Sequence, residues 1–457
     1  MTMRILSLPR FLLVLVSLWS GTEKGTVNAF VSDTSSTRRH RPAFVLNSVP
    51  TPLDTLTSGL ASICRLPKGV TVVPERKEND DIAALVLFDV DNSFDCRLVR
   101  ERCSELDLVV TVVPAPSNSH IFDDDDDDST SLYNISSATW IPALQVTRNQ
   151  GETTLLEGKD DILSFLNDAF STESADSASV GSAGDDATKE IKDEVLDVLL
   201  KVGGYIAGLL RTGRGTRVAS CVSTTNRPSE PLVLYNYEGN QFCRLVREVL
   251  TELDLPYELR SAGKESPRRQ ELAGITGGSS QCPFLIDPNT GTQMPESADI
   301  VRYLYKTYAL YTPPPEILQF ASDKILQVAK PLLNGIAKKQ AGDGQPGYTT
   351  ALEDAKNSIE EEITANDVVV YTYSLSPFCT EAVRVLEETG KPFQEVSLGL
   401  EWIPGLITDE GASKRAALLE LYGQSSLPHV FVNGKSIGGL YSGTPGLLSA
   451  IEQGELL

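Results

Sequence analysis

The chain has 457 residues and a formal net charge of −22 at pH 7. This length predicts two to four compact units, and the acidic balance argues against nucleic acid or an anionic membrane surface as a partner. Seven cysteines without a Cys-x-x-Cys pair and three scattered histidines argue against a dense disulfide scaffold and a zinc site, so we expect no bound metal.

The first fifty residues have the features of a targeting segment. Arg4 precedes an apolar stretch at 11–19, and small residues at 27–29 are typical of a cleavage site, so we predict a signal peptide at 1–29. Residues 30–50 are rich in Ser, Thr and Arg, and the pair of segments resembles the bipartite plastid presequence of algae with complex plastids. Plain secretion is the alternative. The apolar stretch is too short for stable membrane insertion, and none is expected of the mature chain.

The segment CRLVRE occurs at 96–101 and again at 243–248. The likeness extends over 85–108 and 232–255, where an apolar β-prone run is followed by a short polar loop and then by apolar residues at helical spacing. Strand, loop and helix in this order open a βαβ unit. The sequence therefore predicts two copies of one α/β unit.

A third unit begins near residue 367 with the same succession of strand, loop, cysteine and helix. Each of the three units has an X-Pro step inside a later apolar run, at Pro142, Pro283 and Pro428. Because proline removes a donor from a strand ladder, these steps predict an edge or a special backbone site. The pattern indicates one architecture used three times.

The third unit resembles a glutaredoxin. Residues 376–379 (SPFC) stand at the redox motif, Leu427-Pro428 matches the cis-proline step, and Gly438-Gly439 matches the diglycine turn of the glutathione pocket. The second unit resembles the N-terminal, thioredoxin-like domain of glutathione S-transferases and is similar to plastid proteins that carry two such domains in tandem. The segments of the second unit that carry this resemblance are 209–215, 243–257, 284–297 and 299–309.

The resemblance implies an α/β chain of three thioredoxin-like domains joined by helical connectors. The expected segments are a divergent transferase-like domain at 82–170, a linker and connector helix at 171–230, a second transferase-like domain at 231–311, a helical connector at 312–365 and a glutaredoxin domain at 366–457. Within the second connector we expect a helix at 316–337 that breaks near Pro331.

In this fold, dithiol enzymes carry Cys-x-x-Cys where the loop meets the first helix. The outer cysteine attacks as a thiolate favoured by the helix N-terminus, and the inner one is more buried. Here the outer position holds Ser93, Asn240 or Ser376, so the attacking cysteine is absent from all three units. The remaining cysteines are expected in the inner, sheltered position: Cys96, Cys243 and Cys379.

A hydroxyl in the outer position is compatible with one chemistry. In serine-type glutathione transferases it donates a hydrogen bond to the glutathione sulfur and favours its thiolate. Ser376 and Ser93 are candidates for this role, and the alternative is a small polar residue at a helix start. The candidate catalytic residues are Ser376, Cys379, Cys243 and Cys282.

The family resemblance also implies a glutathione pocket. The backbone of the residue before each cis-proline would pair with the cysteinyl unit of glutathione, and an acid-serine step would bind its γ-glutamyl end. The first unit departs from this pattern at Glu157-Gly158, and the third lacks the Asp that glutaredoxins carry after the diglycine turn. The candidate glutathione-binding residues are Pro283, Glu296, Ser297, Leu427, Pro428, Gly438 and Gly439.

Cys282 precedes one of these prolines. In a thioredoxin fold this position lies beside the junction of loop and helix, so we expect Cys282 near Asn240 and Cys243. Two alternatives remain: a disulfide with Cys243, or a small apolar strand residue.

Two functions follow as hypotheses. The first is a glutathione-linked thiol–disulfide oxidoreductase or glutathione transferase, with glutathione or protein thiols as ligands. The alternative is a non-catalytic scaffold that binds glutathione or proteins through inactive thioredoxin-like domains. No segment is long enough for the all-helical domain with which transferases bind their second substrate.

Overall fold

The computed structural model describes residues 50–63, 68–122, 140–172, 211 and 213–456. These residues belong to one compact unit, Val45–Leu457. The predicted signal peptide, nearly all of the transit-like segment, Cys64 and the greater part of the first linker lie outside the described residues. None of the described helices is long and apolar enough to cross a membrane.

The described residues form α-helices, β-strands and two short helical turns of other types. The helices are α1 Pro52–Ile63, α2 Phe94–Glu105, α3 Lys159–Phe170, α4 Gln241–Glu252, α5 Arg268–Thr276, α6 Ser297–Tyr308, α7 Glu316–Phe320, α8 Gln327–Gln340, α9 Tyr348–Ala365, α10 Pro377–Glu388, α11 Asp409–Tyr422 and α12 Leu447–Glu452. The strands are β1 Ile82–Asp89, β2 Val109–Pro114, β3 Ala143–Arg148, β4 Thr153–Glu157, β5 Leu232–Asn236, β6 Tyr257–Ser261, β7 Phe284–Asp287, β8 Thr292–Pro295, β9 Val368–Thr372, β10 Gln394–Ser397, β11 His429–Val432 and β12 Lys435–Gly438. The short turns are a 3-10 turn at His120–Phe122 and a π turn at Ala321–Leu326.

The first copy, residues 82–170, has the strand order β4-β3-β1-β2, in which β1 and β2 are parallel and the other pairs are antiparallel. A strand presents every second side chain to one face, and Leu85 and Leu87 of β1 are buried in this way. They share a core cluster with Val99 of α2 and Ile162 of α3. The first copy is therefore a small α/β layer with the predicted strand–loop–helix opening.

The second copy, residues 231–311, repeats this arrangement with the order β6-β5-β7-β8. Strands β5 and β6 are parallel, and β7 and β8 are antiparallel to their neighbours. The apolar stripe of α4 packs on the sheet, and Val246, Val249 and Leu250 are fully buried there. Equivalent sequence thus gives equivalent structure in the two copies.

The two copies share a single eight-stranded sheet. Strand β2 of the first copy pairs with β6 of the second, from Val109↔Arg260 to Val112↔Tyr257, and the pairing is antiparallel. Because β2 and β6 are equivalent strands, their antiparallel pairing relates the copies by an approximate two-fold rotation, as in a symmetric dimer. One chain therefore contains an internal pseudo-dimer.

The third unit, residues 366–457, has its own four-stranded sheet in the order β10-β9-β11-β12. The connector that precedes it contains helices, and the predicted break near Pro331 is wrong. Helix α8 continues through Pro331, and the irregular π turn lies upstream at Ala321–Leu326. A proline ring clashes with the carbonyl four residues earlier and removes one helical hydrogen bond, so its disturbance falls on the N-terminal side.

The third unit contacts the second copy through the segment that follows α6. The Tyr311 hydroxyl donates to Glu452 of α12 at 2.5 Å, and an Arg384 guanidinium nitrogen donates to the Thr312 carbonyl at 2.7 Å. The Thr312 amide donates to Glu388 at 2.8 Å. The start of the second connector is thus held against α10 and α12.

Candidate functional site

The three outer positions all precede the first helix of a unit, but their side chains are used differently. Ser93 Oγ accepts from the Cys96 amide at 3.5 Å, and Asn240 Oδ1 accepts from the Phe242 amide at 2.8 Å and from the Cys243 amide at 3.4 Å. Both therefore cap their helices. Ser376 makes no capping hydrogen bond to α10 through its side chain.

The cysteine of each motif lies inside its helix and is fully buried, which agrees with the sheltered position expected from the sequence. Cys96, Cys243 and Cys379 are each 0% exposed. Burial is the main cause that raises the pKa of Cys96 to about 12, and it raises the pKa of Cys243 further. Because the thiolate is the nucleophile, such thiols are inert at neutral pH.

Cys282 lies beside Asn240, as the sequence predicted. Asn240 Nδ2 donates to the Cys282 carbonyl at 3.2 Å, and Cys282 shares a core cluster with Cys243. Both cysteines are free thiols, and burial raises the pKa of Cys282 to about 11. The carbonyl that would meet glutathione in the second copy is therefore already bonded within the protein.

The peptide bonds before Pro142, Pro283 and Pro428 are all cis, as the resemblance implied. In the third unit, β11 runs antiparallel to β9 with His429 opposite Tyr371, so residues 427–428 lie beside the loop 373–376. Leu427 packs against the cluster that contains Cys379. Ser376 is buried, 6% exposed, and belongs to the loop beside the cis-proline step.

The acid-serine step of the second copy lies at the start of α6. Ser297 is the first residue of α6 and is buried, and Glu296 before it has a φ of 67°. Gln281 Nε2 donates to Glu296 Oε1 at 2.8 Å. Because Gln281 precedes Cys282, the structure brings Glu296-Ser297 and the second cis-proline step together.

The diglycine turn of the third unit is tightly packed. Gly438 has a φ of 103°, and a Cβ atom there would collide with the backbone of Gly443. The Gly439 amide donates to the Ser442 carbonyl at 2.7 Å, and the Leu447 amide donates to the Gly439 carbonyl at 2.9 Å. The residues after the diglycine thus fold back on it before α12 begins.

A polar cavity of about 560 Å³ adjoins this turn. One side is formed by Gly438 and the loop after it, and the other by Lys330 and Asn334 of the connector helix α8. Ser425, just before the cis-proline step, donates to Asn334 at 2.7 Å. Sequence reasoning missed Lys330 and Asn334, because nothing in the connector sequence shows which unit it covers.

Among the described residues, no group of His, Cys, Asp or Glu side chains could hold a metal ion.

The arginines of CRLVRE, rather than its cysteine, make the specific contacts of the repeated segment. Sequence reasoning missed them too. Arg100 and Arg247 hold the same position in the two copies, and both are buried. Arg100 Nη1 donates to the two carboxylate oxygens of Asp89 at 2.5 and 2.6 Å. Its Nε donates to Glu238, which belongs to the second copy, at 3.0 Å.

The partner arginine makes the reciprocal contacts. Arg247 Nη1 donates to Asn236 of its own copy at 2.8 Å, and its Nε donates to Asp91 of the first copy at 2.8 Å. In each copy, one arginine therefore forms a hydrogen bond with an acidic residue of the other copy, Arg100 with Glu238 and Arg247 with Asp91. The approximate two-fold axis requires this reciprocal arrangement. The repeated segment joins the copies.

The charges of the arginines in this cluster favour the ionised form of Asp91 and Glu238. Burial alone would raise the pKa of Asp91, but the charges of Arg247 and Arg100 outweigh it and lower the pKa to about 2. Burial opposes ionisation of Glu238 as well, and the same two arginines bring its pKa below the usual value. Asp91 and Glu238 are thus ionised at neutral pH and depend on the arginines, whereas burial raises the pKa of Asp89 despite its contact with Arg100.

Comparison with known proteins agrees with this architecture. Residues 234–315 match the family model of the glutathione S-transferase N-terminal domain, and residues 368–437 match that of glutaredoxin. The chain is 36% identical over 80 residues to glutaredoxin-C6 of Oryza sativa, covering 18% of this chain and 65% of the rice protein. It is 33% identical over 90 residues to a glutaredoxin of Ricinus communis, covering 20% of this chain and 81% of that protein.

Among solved structures, a buckwheat glutaredoxin–glutathione complex is 26% identical and has a TM-score of 0.20, covering 23% of this chain and 87% of that one. The sequence matches place the glutaredoxin likeness in the third unit and the transferase likeness in the second. The chain belongs to the glutaredoxin family through its C-terminal domain, and it carries a thioredoxin-like glutathione S-transferase N-terminal domain before it.

Proposed function

We propose that the glutaredoxin domain binds glutathione at Ser376 and the adjoining cis-proline step and uses it in thiol–disulfide exchange. The observation that carries the proposal is the Ser376 hydroxyl, which stands at the N-terminus of α10 and is not used to cap it. A helix N-terminus favours a thiolate placed before it, and a hydroxyl donor adds a hydrogen bond to the sulfur. The family relation and the glutathione named in the buckwheat structure support glutathione as the ligand.

In the proposed reaction, bound glutathione supplies the attacking sulfur that the protein lacks. The glutathione thiolate attacks the glutathione sulfur of a protein–glutathione mixed disulfide. The mixed disulfide bond breaks as the bond of oxidised glutathione forms, and the departing protein thiolate takes up a proton from solvent. Ser376 stabilises the attacking thiolate, and the backbone at Leu427 and Pro428 and the turn at Gly438-Gly439 hold the rest of the tripeptide.

We expect Ser376→Ala to lower the rate of deglutathionylation about tenfold, because a hydrogen bond to a charged sulfur contributes about 1.5 kcal/mol or more. The assay follows release of a glutathionylated peptide by the full chain with reduced glutathione. Cys379→Ser is the matched variant, three residues along the same motif, and should leave the rate unchanged because its thiol is fully buried and cannot reach the substrate. Loss of activity in Cys379→Ser with full activity in Ser376→Ala would reverse the assignment.

The tandem copies suggest a second function, that of a non-catalytic platform. Cys96 and Cys243 are fully buried, and Asn240 already donates a hydrogen bond to the carbonyl of Cys282, the residue before Pro283. A fused eight-stranded sheet is a rigid base from which the third unit or a protein ligand can be presented. Of the proposed sites in the second copy, Glu296 and Ser297 would then contribute to binding only.

A plastid location is proposed for both functions on the sequence of residues 1–50.

A further inference from the structure

Two buried arginines of the repeat have guanidinium nitrogens without hydrogen-bond partners. Arg97 of the first copy and Arg244 of the second follow the cysteine of CRLVRE directly, so the approximate two-fold axis relates them. Their exposed fractions are 2% and 1%. Nε and Nη1 of both side chains make no hydrogen bond. Buried groups of this kind call for a physical explanation, because nearly all are satisfied in folded proteins.

The acids nearby are already used by the other two arginines. Asp89 and Asp91 accept from Arg100 and Arg247. Among the described residues of this junction, the buried donors without a hydrogen bond include Nε and Nη1 of Arg97, Nε and Nη1 of Arg244 and Nδ2 of Asn236. Arg247 Nη2 is not counted with them, because it forms an ion pair with Glu238 at 2.8 Å. The buried acceptors without one are Glu238 Oε1 and the Tyr257 hydroxyl, which can also donate. Donors therefore exceed acceptors at the junction.

Arg97 and Arg244 converge on the same region. Arg97 Nε is 3.8 Å from Glu238 Oε1, which is within ion-pair reach but too far for a hydrogen bond. Burial first, and then the charge of Arg97, lower the pKa of Arg244 to about 10. Two like charges held close together in a buried place repel each other. Glu238 and Asp91 lie near both arginines and offset part of this repulsion, but these acids are already paired with Arg100 and Arg247.

We propose that Arg97 and Arg244 together bind one small monovalent anion of the size of chloride at the junction of the two copies. The anion would accept from the unmatched guanidinium donors and offset the repulsion between the two charges. A monovalent anion is favoured because the cost of dehydration grows steeply with charge. The site is separate from the glutathione site of the third unit and does not depend on it.

Bromide provides the direct test because it replaces chloride and scatters X-rays anomalously. Crystals of the full chain are soaked in sodium bromide, and data are collected at the bromine edge. We expect an anomalous peak between the guanidinium groups of Arg97 and Arg244. A data set with bromide peaks elsewhere on the protein and none between these two groups would overturn the proposal, whatever the solution measurements show.

Thermal unfolding gives a second test in solution. An anion that binds only the folded protein raises its melting temperature, so we expect Tm to be about 2 °C or more higher in sodium chloride than in sodium gluconate of equal ionic strength. The double variant Arg97→Met, Arg244→Met should lose this difference. Arg102→Met, on the same helix but bonded to Asn167 at its surface, should keep it. Equal melting temperatures of the unaltered protein in the two salts would contradict the proposal.

Discussion

Arg100→Met is expected to lower the free energy of unfolding of the tandem copies by about 3–5 kcal/mol, because it leaves Asp89 buried without its charged partner and removes one of the two arginines that pair with Glu238. Methionine fills much of the space of the arginine stem, so the loss comes mainly from the uncompensated charges. Urea unfolding followed by circular dichroism measures the change. Arg247→Met should have a similar effect, because it removes the ion pairs that Arg247 makes with Asp91 of the first copy and with Glu238 of its own copy.

The matched control is Arg102→Met, two residues along α2. Arg102 is partly exposed and bonds to Asn167 and Glu105, so its loss should cost at most about 1 kcal/mol. The difference between Arg100→Met and Arg102→Met separates a buried junction from an ordinary surface pair. Equal costs for the two variants would show that the junction does not depend on the repeated arginines.

The second large effect is a loss of stability in acid, caused by one histidine of the glutaredoxin domain. His429 is 0% exposed, stacks on Phe431 with ring centroids 4.7 Å apart, and its Nε2 lies 2.7 Å from Ser436 Oγ. Burial lowers its pKa from 6.5 to about 4. The unfolded chain therefore takes up a proton between these pH values while the folded chain does not.

The stability that His429 contributes is thus present above pH 6.5 and is lost as the pH falls toward 4. The expected slope is about 1.4 kcal/mol per pH unit, or about 3 kcal/mol in all. Hydrogen exchange of residues 368–437, read by mass spectrometry, follows this domain separately. His429→Phe should remove the slope, while Ser436→Ala should keep it because burial, not the serine, lowers the pKa. An unchanged slope in His429→Phe would refute the assignment.

Local features of the sequence predicted the three units well. Apolar, β-prone runs mark β1 and β5, helical spacing marks α2 and α4, and X-Pro steps within apolar runs mark the cis-proline sites. The positions of the buried cysteines also follow from the motif, because the residue three places earlier is never a cysteine. These features depend on neighbours close in sequence, which a single chain displays.

The joining of the copies could not be predicted in the same way. The pairing of β2 with β6 depends on strand edges far apart in sequence, and an apolar run such as Val109–Pro114 does not show whether its edge is covered. Charged residues in a helix normally indicate a solvated face, so Arg100 and Arg247 gave no sign of burial. The only available signal was the identity of CRLVRE itself, which the arginines explain better than the cysteine.

The most direct test of the account is the reactivity of the cysteines in the native protein. The full chain is treated with iodoacetamide at pH 7.5, and labelling of each cysteine is followed by peptide mass spectrometry. We expect Cys96, Cys243 and Cys379 to stay unlabelled until denaturant is added, because each is 0% exposed. Rapid labelling of these three thiols without denaturant would contradict the conclusion that the repeated segment serves the junction rather than thiol chemistry.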